Sequence, residues 1–365
     1  MSSYEKAEIL KNHEVYFIGH KRSKNSNLRD FSGNFGFDDG EKNLIVETGD
    51  HINYRYQVIS KLGKGMFGNV MKCYDHKTGT DVSIKIMKND ITWSLQCINE
   101  IKILKKMKHE NLLAYYGHFN FRSHICISTE LLGVNLFEAL EATKFNGFDI
   151  SIIRKWSKGL LSGLDFIHKQ GFVHADLKPE NIMLVDSYSL DIKIIDFGSS
   201  SAIGDVSYPY IQSRYYRAPE ILLGCRYNEK IDIWSFIALI FELYHGDPLF
   251  GARDESQLFS MIVKLIGMPT PDTILTMRNE VLKYGSINKK GDPKLVDKRV
   301  FIFTKFDEKG KYKGLRIDQS PTDKNYLKDL KETQPQFVDF LNSALIWNYK
   351  ERPSAQTLLN HKFLA

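Results

Sequence analysis

Residues 172–184, from Phe172 to Leu184, read FVHADLKPENIML. Within this run a carboxylate (Asp176), an ammonium (Lys178) and a carboxamide (Asn181) fall inside six residues, flanked on both sides by apolar side chains. That set suits chemistry on a phosphoryl group. Asp176 can accept the proton of an attacking hydroxyl, Lys178 can neutralise charge on the group in transit, and Asn181 offers a hard oxygen ligand to Mg²⁺. A lone His-x-Asp tripeptide arises by chance in many chains, so its neighbours along the sequence decide.

Upstream, GKGMFGNV places Gly63, Gly65 and Gly68 before Val70, a spacing that lets a turn close over phosphates with its backbone amides near their oxygens. Dinucleotide-binding folds use a similar spacing, but there the glycines open a helix, whereas here they separate two strand-like runs. DVSIKIM then puts Lys85 in the next strand, and Glu100 stands in the middle of a helical pattern as its carboxylate partner. Taken singly, either charge reads as solvated surface. Downstream, the DFG triplet supplies Asp196 as a second metal ligand, and an APE triplet follows at Ala218–Glu220. Glycine loop, lysine, glutamate, HADLKPEN, DFG and APE in one order form a specific constellation.

The 365 residues are 42% hydrophobic and 26% charged, which supports a real core and excludes disorder as the default. A net charge of +6 spread over both halves points to a solvated surface rather than a nucleic-acid site. Cys73, Cys97, Cys126 and Cys225 show neither CxxC pairing nor zinc spacing, so free thiols in a reducing, intracellular compartment are expected. The start, MSSYEKAEILKNHE, lacks the apolar core of a signal peptide. Ile233–Tyr244 contains Glu242 and is shorter than the about 20 residues of a bilayer span, so it predicts a buried helix and no membrane contact.

Residues 1 to about 52 are polar and predict an extension that folds against something other than its own core. From Tyr56 the runs YQVISKL, NVMKCY, DVSIKIM and ICIST predict an antiparallel sheet. Between the third and fourth, Leu95, Ile98, Ile101, Leu104 and Met107 predict one helical face over residues 94–107. After Leu136 the helical period dominates. Ile153, Trp156, Leu160, Leu164 and Ile167 mark one face, with Gly171 as a stop, and later helices are predicted over 231–244, 256–266, 335–347 and 354–360. No internal repeat or low-complexity tract is present.

With these motifs in place, residues from about Tyr56 to Leu364 resemble the eukaryotic protein kinases, and among them the dual-specificity tyrosine-phosphorylation-regulated kinases. DFGSSSAIGDVSYPYIQSRYYRAPE is similar to that family's activation segment, and HADLKPENIML to its catalytic loop, in which a small residue such as Ala175 replaces the usual arginine. NFGFDDGEKNLIVETGDHINYRYQVI resembles the homology box that precedes the family's catalytic domain, and MSSYEKAEILKNHEVYFIG resembles the accessory region of its class II members.

The resemblance implies an α+β, two-lobed protein kinase fold: an accessory segment and homology box over 1–55, a β-rich lobe over about 56–130 and a helical lobe over about 134–364. It implies ATP and Mg²⁺ as cofactors. Leu62, Gly63, Gly65, Gly68, Val70, Ser83, Lys85, Glu100, Thr129, Glu130, Leu132 and Met183 are the expected ATP site, with Thr129 as a small gatekeeper where phenylalanine is common. Asp232 is expected to brace the catalytic loop, Arg352 to pair with Glu220, and His174 to pack rather than act as a base. In place of the missing loop arginine, Arg214 and Arg217 are expected to hold a phosphate on Tyr210, of the Tyr208/Tyr210 pair, after autophosphorylation in cis. Other substrates are expected to be proteins with serine or threonine acceptors, arginine before and proline after the acceptor, Glu180 reading the arginine. The family implies a monomer in cytoplasm or nucleus, with Lys21, Arg22 and Lys24 a weak basic cluster. The alternative is a scaffold that binds partners without transferring phosphate, a role that usually costs at least one of Lys85, Asp176, Asn181 and Asp196. The Lys-, Gly- and Asp-rich stretch 285–313 reads as an inserted loop with no assigned role.

Overall fold

A computed structural model describes residues 3–19, 33–65, 67–205, 211–277, 305–314 and 326–365. Tyr208, Tyr210, the Lys21–Lys24 cluster and most of the 285–313 stretch lie outside the described residues. The chain divides into two compact units, Met1–Leu132 and Gly133–Ala365.

The first unit is built on a six-stranded antiparallel sheet in the order β1-β2-β3-β4-β6-β5. Its strands are β1 (His51–Ile52), β2 (Tyr56–Gly65), β3 (Gly68–Asp75), β4 (Thr80–Met87), β5 (Tyr115–Phe121) and β6 (His124–Glu130). Alternation drives them: in β3 and β4 every second residue, Met71 and Cys73, then Val82, Ile84 and Ile86, is buried on one face. Residues ahead of the sheet complete that core, Phe37 and Leu44 packing with Val58, Ile84 and Cys126. Helix α1 (Ser3–Ile9) is tied to the sheet by charge. Arg122 lies almost fully buried between Glu5 at 3.1 Å and Glu8 at 2.9 Å, with its guanidinium over the Phe37 ring. The expectation that the extension folds against something else is borne out.

Helix α2 (Ile91–Leu104) lies alongside the sheet, capped by Asp90, whose carboxylate accepts the Thr92 N–H and pairs with Lys42. It starts three residues before the predicted point, and its buried positions are Cys97, Glu100, Ile101, Ile103 and Leu104. Two residues of the expected face, Leu95 and Ile98, are instead exposed. A spacing of three falls short of a 3.6-residue turn by about 60° per step, so five such residues wind around the helix rather than marking one face.

The second unit is mainly helical, with α3 (Leu136–Ala142), α4 (Ile150–Lys169), α5 (Pro219–Leu222), α6 (Lys230–His245), α7 (Glu255–Ile266), α8 (Tyr326–Thr333), α9 (Pro335–Ala344) and α10 (Ala355–Leu359). The predicted face of α4 is buried throughout, and Gly171, in the left-handed region at φ +81°, ends it. Helix α6 is buried from Ile231 to Leu243, apolar except for Asp232, Ser235 and Glu242, so it forms the centre of the unit. Short strand pairs, β7 (Phe172–Val173) with β10 (Ser201–Ala202) and β8 (Ile182–Leu184) with β9 (Ile192–Ile194), carry the loops of the candidate site.

Candidate active site

In the first unit the glycines sit in the hairpin between β2 and β3, where Gly63 faces Val70 and Gly65 faces Gly68. No helix follows them, which separates this loop from a dinucleotide-binding turn. At Gly68 a side chain would meet the Ile86 carbonyl oxygen at 2.0 Å, so close packing of hairpin on β4 demands glycine. Leu62 is half exposed at the loop's start. Lys85 lies opposite Val70 on β4, and its ammonium meets both Glu100 oxygens at 2.8 and 2.9 Å. Strand and helix therefore fix the charge from two sides. Phe67, at the tip of the glycine loop, packs edge-on against Trp93 of α2 and lies under the Lys85 ammonium. Ser83 faces Thr129 across β4 and β6, and Thr129 is nearly buried. The Glu130 carboxylate accepts the Ala114 N–H at 2.6 Å, which anchors the strand that leads to Leu132.

In the second unit the quoted loop folds around Asp176. One oxygen accepts the Ser213 hydroxyl at 2.8 Å, and the other accepts Lys178 at 2.7 Å and the Asn181 amide at 3.1 Å. The Asn181 amide also donates to the Asp176 carbonyl at 2.8 Å, which directs its Oδ1 away from the loop and leaves that oxygen for a cation. Asp196 adopts φ +61° and accepts the Gly198 N–H. Among the described residues no cluster of three or more His, Cys, Asp or Glu forms a metal cage. Two oxygen donors with phosphates and water completing the shell are what Mg²⁺ requires, so Asn181 and Asp196 fit that ion. Met183 on β8 faces Lys193 and forms a bridge with Asn135.

The loop is held from beneath. Asp232 accepts the backbone N–H groups of His174 and Ala175, both at 2.8 Å, and the His168 ring at 2.9 Å. Ala175, almost fully buried, has φ +67°. His174 meets the Ile195 carbonyl at 2.9 Å and packs edge-on against Phe197, a packing residue as expected. Arg352 and Glu220 form a two-pronged ion pair at 2.8 and 3.0 Å, both fully buried.

Arg214 donates to the Arg253 carbonyl at 2.7 Å. Arg217, buried, donates to the Gln212 carbonyl at 2.8 Å and pairs with Glu255. Both arginines thus secure the segment that follows Tyr210. Glu180 is exposed at the loop's rim. Its charge bears on Glu242, a buried carboxylate on α6 to which sequence reasoning assigned no part in the site, and which accepts the Tyr216 hydroxyl at 2.6 Å. Burial drives the Glu242 carboxyl up to about 7 against the opposing Tyr216 hydrogen bond, with the charges of Glu180 and Asp247 adding to the rise. A carboxylate inside the apolar run Phe236–Leu243 was the signal that could have found it.

The profile of the protein kinase domain matches residues 56–364, and the chain belongs to the protein kinase family with its two-lobed α+β fold. The expected likeness to dual-specificity tyrosine-phosphorylation-regulated kinases is borne out. The chain is similar to dual specificity tyrosine-phosphorylation-regulated kinase 3 of Homo sapiens, 37% identical over 378 residues that cover 100% of this chain and 63% of that protein. It is 36% identical to dual specificity tyrosine-phosphorylation-regulated kinase mbk-2 of Caenorhabditis elegans over 374 residues, 99% of this chain and 45% of that one. The DYRK-family kinase pom1 of Schizosaccharomyces pombe is 36% identical over 381 residues, 100% of this chain and 33% of the relative. The chain therefore spans less than two thirds of the curated relatives it matches. Kinases of this type use ATP with Mg²⁺.

Proposed function

We propose that the protein transfers the γ-phosphoryl group of ATP to serine and threonine hydroxyls of other proteins, and to its own Tyr210 during maturation. The Asp176 cluster carries this reading: one carboxylate gathers Lys178, Asn181 and Ser213, so a hydroxyl oxygen directed there has its proton acceptor and a neutralising ammonium side by side. Lys85, fixed by Glu100, positions phosphates, and Gly63, Gly65 and Gly68 let backbone approach them. Leu62, Val70, Ser83, Thr129, Glu130, Leu132 and Met183 take the adenine side. Asn181 and Asp196 would hold Mg²⁺, which would supply positive charge against the phosphates.

Ala175 fits an active enzyme. A phosphate on Tyr210 carries a charge of about −2 and finds its partners in Arg214 and Arg217, so an arginine at position 175 is not needed. Glu180, exposed, with Glu242 and Tyr216 behind it, suits a guanidinium on the substrate. Proline after the acceptor, a monomeric state and an accessory role for residues 1–55 ahead of a catalytic domain over 56–364 complete the reading. Four free, buried cysteines fit a reducing intracellular site. No helix among the described residues is long and apolar enough to cross a membrane. The scaffold alternative draws no support, because Lys85, Asp176, Asn181 and Asp196 are all retained.

Peptide mass spectrometry of the chain produced in bacteria tests this. Wild type should carry phosphate on Tyr210 and Asp176→Asn should not. Absence from both, together with no phosphorylation of an arginine-directed serine peptide, would point to the scaffold.

A further inference from the structure

Helix α2 is apolar on both sides over its first turns. Toward the sheet it buries Cys97 and Ile101, and on the opposite side Ile91 is 79%, Leu95 65% and Ile98 42% exposed. The exposed three stand at i, i+4 and i+7, and Lys102 continues the series at i+11, so at 3.6 residues per turn all four fall within about 60° of arc. Single exposed apolar residues are ordinary, but a helix that is apolar all round is one covered on both sides. Among the described residues only one side is covered. The ridge also has a direction. No acidic residue occurs from Ile91 to Asn99, while Lys102, Lys105, Lys106 and Lys108 crowd its far end, all exposed.

We propose that this ridge docks an amphipathic helix of a partner protein, one whose apolar residues recur at i, i+3 or i+4, and i+7 and whose end over Lys102 and Lys105 is acidic. Apolar anchors seated on Ile91, Leu95 and Ile98 supply the buried area, and the acidic end fixes orientation. A second copy of this chain fits less well. The one carboxylate at the ridge's start, Asp90, is already engaged by Lys42 and by the Thr92 N–H, so two such ridges meeting would leave their lysines unanswered. Binding here requires none of the catalytic residues, since Glu100 and its Lys85 partner lie toward the sheet.

The test pans the full chain against a displayed library of random peptides about four helical turns long, then titrates enriched peptides by fluorescence anisotropy. Enriched sequences should share the apolar spacing and an acidic end. Leu95→Asp and Ile91→Asp, both at exposed positions, should each weaken binding about tenfold or more with an unchanged melting temperature. The double variant Lys102→Glu/Lys105→Glu should weaken it too, and a lysine-for-acid peptide should restore it. Failure to enrich any peptide, enrichment of peptides without acidic residues, or binding indifferent to Leu95→Asp would overturn the proposal. So would a dimer in light scattering that Leu95→Asp dissolves, which assigns the ridge to a second copy.

Discussion

The carboxylate of Asp232 accepts the backbone N–H of Ala175 at 2.8 Å while Ala175 holds φ +67°. A left-handed alanine costs roughly 1–2 kcal/mol, and one buried carboxylate bonded to two successive amides is what offsets it. Asp232→Ala leaves those amides without an acceptor and should destabilise the protein by about 3 kcal/mol in urea unfolding. Ala175→Gly removes the strain and should raise stability by about 1 kcal/mol. A loss in that variant would show that the methyl group packs better than its backbone suggests.

Asp176→Asn keeps the size of the side chain and its bonds to Lys178 and Ser213 in altered form, but it no longer accepts a proton. Turnover on a serine peptide should fall about 10²–10⁴-fold. Nucleotide affinity, measured by fluorescence titration, should change little. Lys85→Met, which leaves Glu100 unpaired, should impair both.

Thr129 is nearly buried opposite Ser83, and both side chains are small. A bulky substituent on an adenine-site inhibitor has room beside a threonine that it lacks beside a phenylalanine. Such compounds should bind Thr129→Phe about tenfold or more weakly than wild type, while ATP affinity stays close to its original value. Equal inhibitor constants would remove Thr129 from the nucleotide site.

Glu242 gives a pH signature. Its folded-state carboxyl sits at about 7, against 4.5 for the free group, with burial as the first cause. The folded protein thus binds the extra proton, so stability is greatest below pH 4.5 for this group and declines as pH rises toward 7. Over that interval the loss is of order 3 kcal/mol. Glu242→Gln should flatten the decline in stability between pH 5 and 8, read by urea unfolding at about four pH values. Glu180→Gln, at the exposed residue proposed to read a substrate guanidinium, should raise KM for an arginine-bearing peptide more than for one with alanine there.

Much of the candidate site was legible because the phosphoryl chemistry proposed for it needs particular residue types in a fixed order, and Lys85, Glu100, Asp176, Asn181 and Asp196 keep both. The Lys85–Glu100 pair and the Arg352–Glu220 pair stand as expected. The face of α4 was readable because its apolar residues step by three and four, matching the helix. That of α2 was not, since a constant step of three drifts, and the error hid the exposed ridge. Strand β5 escaped notice because YYGHFNF alternates with His118 and Asn120 on its solvent side and a glycine within it. Helix α1 is too short to show a period, and its attachment through Glu5 and Glu8 to Arg122 spans more than a hundred residues of sequence, beyond the reach of local patterns.

That attachment limits where such a chain can be cut. Phe37 and Leu44 belong to the sheet's core, and Glu5 and Glu8 neutralise Arg122. A cut at Tyr56, where the catalytic motifs begin to be recognisable, would open that core and strand a guanidinium in it. A chain begun at that seam would leave Val58, Phe121 and Cys126 without the cover that Phe37 and Leu44 give them.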